Sequence, residues 1–192
     1  KMKKESLNIS NTIVSKYKYE GDYNKELGFC KELKWQNYQE GRVESSFDRA
    51  VIFHPELEKL YKFVQGCIDE YTVNTLQTEV KLVIQQSWVG KQSKNQSVTN
   101  HRHISAINGC FYFNVPDDST PIVFNLTNAV GLTDEFAIPV KNGELILFPN
   151  ELEHWVPENE SDDVRYVLGV NTMNTEQRDE YKAIGKFYNT LS

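Results

Sequence analysis

From residue 81 onward, apolar and polar residues alternate with a period of two, in short segments that turn-forming residues separate. This period is typical of β-strands, because successive side chains of a strand point to opposite faces. The predicted strands cover residues 81–89, 107–115, 121–126, 136–140, 144–148, 154–156 and 164–171. So many short strands at this spacing favour a double-sheet sandwich or jelly roll over alternating strands and helices.

The N-terminal part has a different pattern. Over residues 55–76, apolar residues recur at steps of three and four, which predicts an amphipathic helix with Pro55 in its first turn. A strand is expected over residues 11–19, and a polar connection joins it to the helix. A second helix is expected near the C-terminus, over residues 175–191.

With 192 residues, the chain has the size of one domain. We expect a mainly β fold with flanking helices, in which residues 1–80 support a β core of residues 81–171 and residues 172–192 form a final helix. No apolar run approaches the roughly 20 residues that a membrane-spanning helix needs. A membrane partner is therefore not expected.

Charge and cysteine content limit the other partners and the location. A net charge of -6 disfavours a nonspecific electrostatic contact with nucleic acid, which needs concentrated lysine and arginine. Cys30, Cys67 and Cys110 are odd in number and have no C-x-x-C spacing, as expected for reduced thiols of a cytoplasmic protein. A disulfide framework is not expected.

Most of the histidines fall at positions that could form one site. His101 and His103 are two residues apart just before a predicted strand, so both imidazoles can face one ion if this segment is extended. His154 begins a later strand and could add a third ligand, leaving the other half of the coordination sphere open. Such an open site is typical of a metal that takes part in catalysis.

The alternation also places polar groups on faces that meet the interior. In the strand predicted over residues 107–115, Tyr112 shares a partly polar face with its second neighbours. Arg165 lies within the strand predicted over residues 164–171, and an arginine inside a strand is costly to bury without an anionic partner. A ligand carboxylate, bound by both arms of the guanidinium group, could be that partner.

Several short segments follow one another in an order that resembles a known enzyme class. They are SW (87–88), NHRH (100–103), GCFYFNVP (109–116), PIVF (121–124), GELILFP (143–149), LEH (152–154), NES (159–161) and RYVLGVN (165–171). The ordered set resembles the Fe(II)- and 2-oxoglutarate-dependent oxygenases, in particular those of marine bacteria and their phages and, more distantly, the prolyl hydroxylases. The resemblance extends over slightly less than half of the chain.

The resemblance implies a double-stranded β-helix, a jelly-roll fold whose open end holds Fe(II). His101 and His154 match the two histidine ligands, and His103 matches the position usually held by Asp or Glu. Arg165 matches the residue that binds the distal carboxylate of 2-oxoglutarate, and Tyr112 lies on a strand that often adds a hydroxyl to the same cosubstrate. The implied reaction uses O2 and couples decarboxylation of 2-oxoglutarate to succinate and CO2 with oxidation of a substrate, normally hydroxylation.

The histidine pair departs from the common ligand set of two histidines and one carboxylate. The site has three neutral ligands if His101 and His103 both bind. Alternatively, only one of the two binds, or a carboxylate from elsewhere completes the set.

Two other protein classes stay open at this point. One is a cupin-type metal-dependent dioxygenase or isomerase that does not use 2-oxoglutarate, although the glutamate expected soon after its H-x-H motif is missing here. The other is a nonenzymatic jelly-roll module that binds carbohydrate or protein. The sequence has no signal for the oligomeric state or for the substrate, which could be a protein residue, an amino acid, a nucleobase or a metabolite.

Overall fold

The computed structural model describes residues 12–37, 40–116, 120–127 and 131–176, most of which lie in two antiparallel sheets. In chain order the strands are β1 Ser15–Lys18, β2 Trp35–Gln36, β3 Glu44–Ser46, β4 Leu82–Gln92, β5 Val98–His101, β6 Ile107–Asn114, β7 Ile122–Thr127, β8 Thr133–Ile138, β9 Glu144–Pro149, β10 Glu153–Val156 and β11 Arg165–Asn174. The larger sheet has the order β1-β9-β6-β11-β4-β3-β2, and the smaller sheet has the order β5-β10-β7-β8.

Every predicted strand has a counterpart in the structure, with ends shifted by a few residues. The expected mainly β, double-sheet fold with flanking helices is therefore confirmed. Strands β2, β3 and β5 and helix α1 (Asn24–Lys31) have no counterpart in the prediction. The three strands are too short to show a period of their own, and α1 carries few apolar residues.

The predicted helix over residues 55–76 forms in three pieces. A 3-10 turn at Pro55–Leu57 leads into helix α2 (Glu58–Glu70), and a π-helical turn at Tyr71–Thr75 follows. Pro55 suits the first turn because its missing N–H needs no partner there. Beyond residue 176, the predicted C-terminal helix lies outside the described residues.

The larger sheet buries both of its faces. One face packs against α2, whose Leu60, Val64 and Ile68 meet Phe111 of β6 and Leu168 of β11. The other face packs against the smaller sheet, through a second cluster that contains Tyr112, Ile146, Phe148, Phe124 and Ile122. Neighbouring residues of β6 and β9 therefore alternate between the two clusters, as the period of two requires.

A β-bulge in β4 changes which of its residues face the smaller sheet. Asn171 of β11 pairs with Gln86, but the next residue, Thr172, pairs with Ile84, so the exposed Gln85 is an extra residue. Before the bulge, Ile84 packs under α2, and after it Val89 does so instead. The bulge thus turns Gln86 and every second residue after it away from the helix.

The described residues include no helix that is long and apolar enough to cross a membrane. Cys30, Cys67 and Cys110 are free thiols, and the first two are buried.

Gly109 of β6 lies where a larger residue does not fit. A Cβ atom there would come within 2.8 Å of the side chains of Leu147 and Val170. We expect Gly109→Ala to lower the free energy of unfolding by roughly 1–3 kcal/mol, because packed neighbours must move. Gly66→Ala on α2 is the control, since nothing lies within 4 Å of the added methyl, and it should stabilise by up to about 1 kcal/mol. Urea denaturation of both variants measures the difference, and equal effects would contradict this packing.

Candidate active site

Backbone pairing brings two of the predicted ligands together. His101 is the last residue of β5 and lies directly opposite His154 of β10 in the antiparallel register. Residues opposite each other in such a pair project from the same face, and the two imidazole ring centres are 4.4 Å apart. The pairing of two four-residue strands thus places these histidines side by side.

His103 joins the pair from the loop that follows β5. Its ring centre is 4.7 Å from that of His101 and 5.2 Å from that of His154. One ring nitrogen from each of the three histidines falls within 4.8 Å of the others. In the described part of the chain, no carboxylate belongs to this group, so it consists of three imidazoles.

The hydrogen bonds of the histidines determine which nitrogen faces the centre. Nδ1 of His101 lies 2.7 Å from the carbonyl oxygen of Thr99, and Nδ1 of His154 lies 3.2 Å from that of Leu152. A carbonyl can only accept a hydrogen bond, so both Nδ1 atoms donate and both Nε2 atoms keep a lone pair. Metal-binding histidines commonly show this arrangement, in which a backbone carbonyl fixes the tautomer and the ring orientation.

The spacing of the nitrogens also suits one metal ion. Nε2 of His101 and Nε2 of His103 are 3.1 Å apart. Two ligands about 2.1 Å from an ion and at right angles to each other are separated by roughly 3 Å. The nitrogens of His101 and His103 therefore suit two adjacent positions around one ion, and His154 offers a third nitrogen within 4.8 Å of both.

Burial keeps two of these imidazoles neutral. Burial, together with the nearby His101, lowers the pKa of His154 to about 3 and that of His103 to about 4. A neutral imidazole is the form that binds a metal. At neutral pH, no proton needs to leave His103 or His154 before an ion can bind.

Arg165 and Tyr112 lie on neighbouring strands of the larger sheet and face the same interior. Arg165 is 1% exposed, its Nη1 donates to the carbonyl oxygen of Thr120 at 2.5 Å, and its Cζ lies 5.2 Å from the ring centre of Tyr112. Burial lowers the pKa of Arg165 and raises that of Tyr112. The arginine side chain is thus a buried cation with a neutral phenol beside it.

One cavity of about 560 Å³ connects these groups. Its lining includes all three histidines, Arg165 and Tyr112. Among the described residues that line it, none is Asp or Glu, and the permanent charges come from Arg165 and Arg49. The structure therefore brings together every site residue that the sequence predicts, in a space that is positively charged.

Two cavity residues, Arg49 and Trp88, have no predicted role in the sequence analysis. Trp88 follows the β4 bulge, where Gln86, Trp88, Gly90 and Gln92 all turn towards the cavity. The period of two after residue 86 could have indicated this shared face. Arg49 lies in an irregular segment between β3 and α2, and no local pattern marks it.

The sequence profile described as "Putative 2OG-Fe(II) oxygenase" matches residues 86–171 of this chain. The matched segment begins at the β4 bulge and contains the three histidines, Tyr112 and Arg165. No curated protein matches the chain in sequence.

Solved structures with the same fold belong to this class of enzymes. A prolyl-4-hydroxylase from Pseudomonas putida superposes with a TM-score of 0.61, at 11% identity over 83% of this chain and 92% of its own. A Trichoplax adhaerens prolyl hydroxylase, solved with a peptide of hypoxia inducible factor, has a TM-score of 0.62 at 13% identity over 86% of each chain.

A third similar structure is the epimerase SnoN in complex with Fe3+, alpha ketoglutarate and nogalamycin RO. Its TM-score is 0.66, at 11% identity over 83% of this chain and 78% of its own. The profile match favours this enzyme class over the cupin-type and nonenzymatic alternatives that the sequence left open. The chain thus resembles the 2OG-Fe(II) oxygenases over residues 86–171, which carry the site, and it shares its fold with the three solved structures.

Proposed function

We propose that the chain is an Fe(II)- and 2-oxoglutarate-dependent oxygenase, in which His101, His103 and His154 hold Fe(II) and Arg165 and Tyr112 hold 2-oxoglutarate. The observation that carries this proposal is the group of three imidazole nitrogens within 4.8 Å of one another, on the wall of the cavity that also contains Arg165. The primary reaction is oxidation of a substrate C–H bond, normally hydroxylation, at the expense of 2-oxoglutarate and O2.

The chemistry that Fe(II) supplies when bound is activation of O2, coupled to decarboxylation of 2-oxoglutarate to succinate and CO2. The residues of the chain provide orientation and a suitable environment for this chemistry. The carbonyls of Thr99 and Leu152 hold the rings of His101 and His154 with Nε2 towards the centre. Ile122, Val156 and Val167 add apolar side chains to the wall of the same cavity, which strengthens electrostatic contacts inside it.

The buried guanidinium of Arg165 is suited to the distal carboxylate of 2-oxoglutarate. A charge-assisted pair is stronger where water is excluded, and its planar geometry sets the direction of the bound dianion. Thr120 accepts from the same Nη1 through its carbonyl oxygen and fixes the side chain. The hydroxyl of Tyr112, kept protonated by its raised pKa, can donate to the same carboxylate.

We further propose that the described elements form one domain in which residues 1–80 support the β core of residues 81–171. Helix α2 covers one face of the larger sheet, and β1 pairs with β9 at its edge. The free thiols and the absence of a membrane-crossing helix among the described residues support our proposal of a cytoplasmic location.

Metal binding should stabilise the protein through the histidine group. Addition of Co(II) to the metal-free protein should raise the melting temperature, because the ion binds the folded state. His154→Ala should lose this increase and should form succinate only at the background rate when Fe(II), 2-oxoglutarate and candidate substrates are supplied. His54→Ala is the matched control for the metal-dependent increase, since His54 pairs with Asp48 at 2.7 Å outside the cavity. Wild-type metal stabilisation in His154→Ala would contradict the assignment.

Arg165→Gln should weaken 2-oxoglutarate binding by at least about tenfold, because it removes a buried charge-assisted pair. It should leave Co(II) affinity close to that of the wild type, since the guanidinium is not a ligand. Titration of the Co(II) protein with 2-oxoglutarate, followed by its visible absorption spectrum, measures both quantities. Unchanged 2-oxoglutarate affinity would exclude the proposed role of Arg165.

The metal-free protein should lose stability on mild acidification. The unfolded chain takes up protons on histidine near pH 6.5, whereas burial holds the pKa of folded His154 at about 3. Because the unfolded state then binds more protons, the free energy of unfolding falls as pH drops from about 6.5 towards 3. Denaturation in EDTA at pH 7, 6 and 5 should show this fall, and His154→Gln should make it shallower. The same slope in both proteins would argue against a neutral, buried His154.

A further inference from the structure

Arg49 and Trp88 lie side by side on the cavity wall, next to the histidines. Nη1 of Arg49 donates to Oγ of Ser45 at 3.0 Å, and its Cζ lies 5.8 Å from the ring centre of Trp88. The Trp88 ring centre is in turn 5.3 Å from that of His103. We propose that the substrate of this oxygenase carries a carboxylate that Arg49 binds, and that the apolar part of the substrate lies against Trp88.

This inference rests on the proposed function, because it requires that Fe(II) and 2-oxoglutarate occupy the histidine and Arg165 ends of the cavity. A substrate must then bind within reach of the histidines at a place that neither of them fills. The cavity volume of about 560 Å³ is in the range that accommodates a cosubstrate and a small second molecule.

The backbone that carries Arg49 is held in place from several sides. Its carbonyl oxygen accepts from the N–H of Ser87 on β4 at 2.9 Å. The preceding residue, Asp48, accepts from the N–H of Ala50 at 2.7 Å and pairs with His54 at the start of the helical segment. Oγ of the fully buried Ser46 donates to the carbonyl oxygen of Asp48 at 2.8 Å. A guanidinium on such a segment is preorganised for a ligand, which reduces the entropy cost of binding.

Trp88 has a fixed orientation as well. It lies opposite Gly169 of β11, where a Cβ atom would come within 2.6 Å of the indole ring. The glycine therefore makes the room in which the ring lies flat across the neighbouring strand. An indole face held in this way offers a firm apolar surface beside the cation of Arg49.

The charge of the filled cavity favours an anionic substrate. Counted over the ion, 2-oxoglutarate and the described lining residues, the ion contributes two positive charges, the two arginines contribute one each and 2-oxoglutarate contributes two negative charges, which is an excess of two positive charges. With a carboxylate in place of His103, this excess would be one. None of the described lining residues is acidic. A carboxylate on the substrate would reduce the excess, in a cavity where low dielectric strengthens the attraction.

The groups around Arg49 fit a carboxylate better than a phosphate. A single guanidinium matches the two oxygens of a carboxylate through parallel hydrogen bonds. Phosphate sites usually collect several N–H donors from a loop or a helix N-terminus. None of the described lining residues lies at the N-terminus of a helix, and the hydroxyl of Ser45 is the group that Arg49 contacts on this wall at 3.0 Å.

The test uses matched probes on the full chain, loaded with Co(II) and saturated with 2-oxoglutarate. Phenylacetate has an aromatic body and one carboxylate, phenylacetamide has nearly the same shape without charge, and phenyl phosphate carries a different anion. Calorimetric titration should show that phenylacetate binds at least about tenfold more tightly than phenylacetamide. Equal affinities, or tighter binding of phenyl phosphate than of phenylacetate, would overturn the proposal.

Arg49→Gln should abolish the preference for phenylacetate over phenylacetamide, and Arg49→Lys should retain part of it. Arg42→Gln is the matched control, because Arg42 also donates to a serine hydroxyl, that of Ser97 at 2.8 Å, but does not line the cavity. It should keep the full preference. A preference that survives in Arg49→Gln would show that another group binds the carboxylate and would overturn the role of Arg49.

The same experiment distinguishes a failure of the proposed function from a failure of the substrate assignment alone. The visible spectrum of the Co(II) protein reports 2-oxoglutarate binding before any probe is added. If this spectrum does not respond to 2-oxoglutarate, the proposed function fails. If it responds in the wild type and in Arg49→Gln but no probe preference is found, only the substrate assignment fails.

Discussion

Burial of both faces of the seven-stranded sheet is the constraint on which the rest of the structure depends. Side chains of a strand alternate between the two faces of the sheet. If one residue packs under α2, the residues before and after it in the strand therefore face the smaller sheet. Leu168 and Val170 of β11 lie in the helix-side core, and for this reason Arg165, Val167 and Gly169 point into the cavity. Hydrophobic packing on one face thus determines the chemistry on the other.

The same reasoning shows why much of the fold and most of the site could be predicted from the sequence. The long strands carry their period in their own residues, and Arg165 lies at the start of one of them. His101, His103 and His154 lie on short strands or in a loop, and their order along the chain indicated that they belong to one site. Arg49 could not be found in this way, because it reaches the cavity only through the pairing of its segment with β4. That pairing depends on contacts between residues far apart in the chain, which no local pattern records.

The bulge in β4 also has no counterpart in the prediction. Gln85 and Gln86 are both polar, so the alternation of apolar and polar residues does not show which of the two is the extra residue. The prediction of a strand was correct, but the residues that the strand directs inward follow from its register with β11.

The charge of the cavity wall differs in sign from that of the whole chain. The chain as a whole has a net charge of -6, yet the described cavity wall carries two arginines and no acid. If His101, His103 and His154 hold a metal ion as proposed, none of the three brings a negative charge to it. Small molecules that enter the cavity would then supply the negative charge that an Asp or Glu supplies in the common set of two histidines and one carboxylate.

Because of the single extra residue in the bulge, even-numbered residues of β4 face the helix before it and odd-numbered residues face the helix after it. If β4 had the same sequence but alternated without the bulge, Gln85, Ser87 and Val89 would face the cavity, and Trp88 would be directed under the helix. The catalytic interior is thus encoded by the count of residues along a strand as well as by their identity. A slip of one residue in the pairing between β11 and the part of β4 after the bulge would exchange the two sets of side chains, although no residue of the chain had changed.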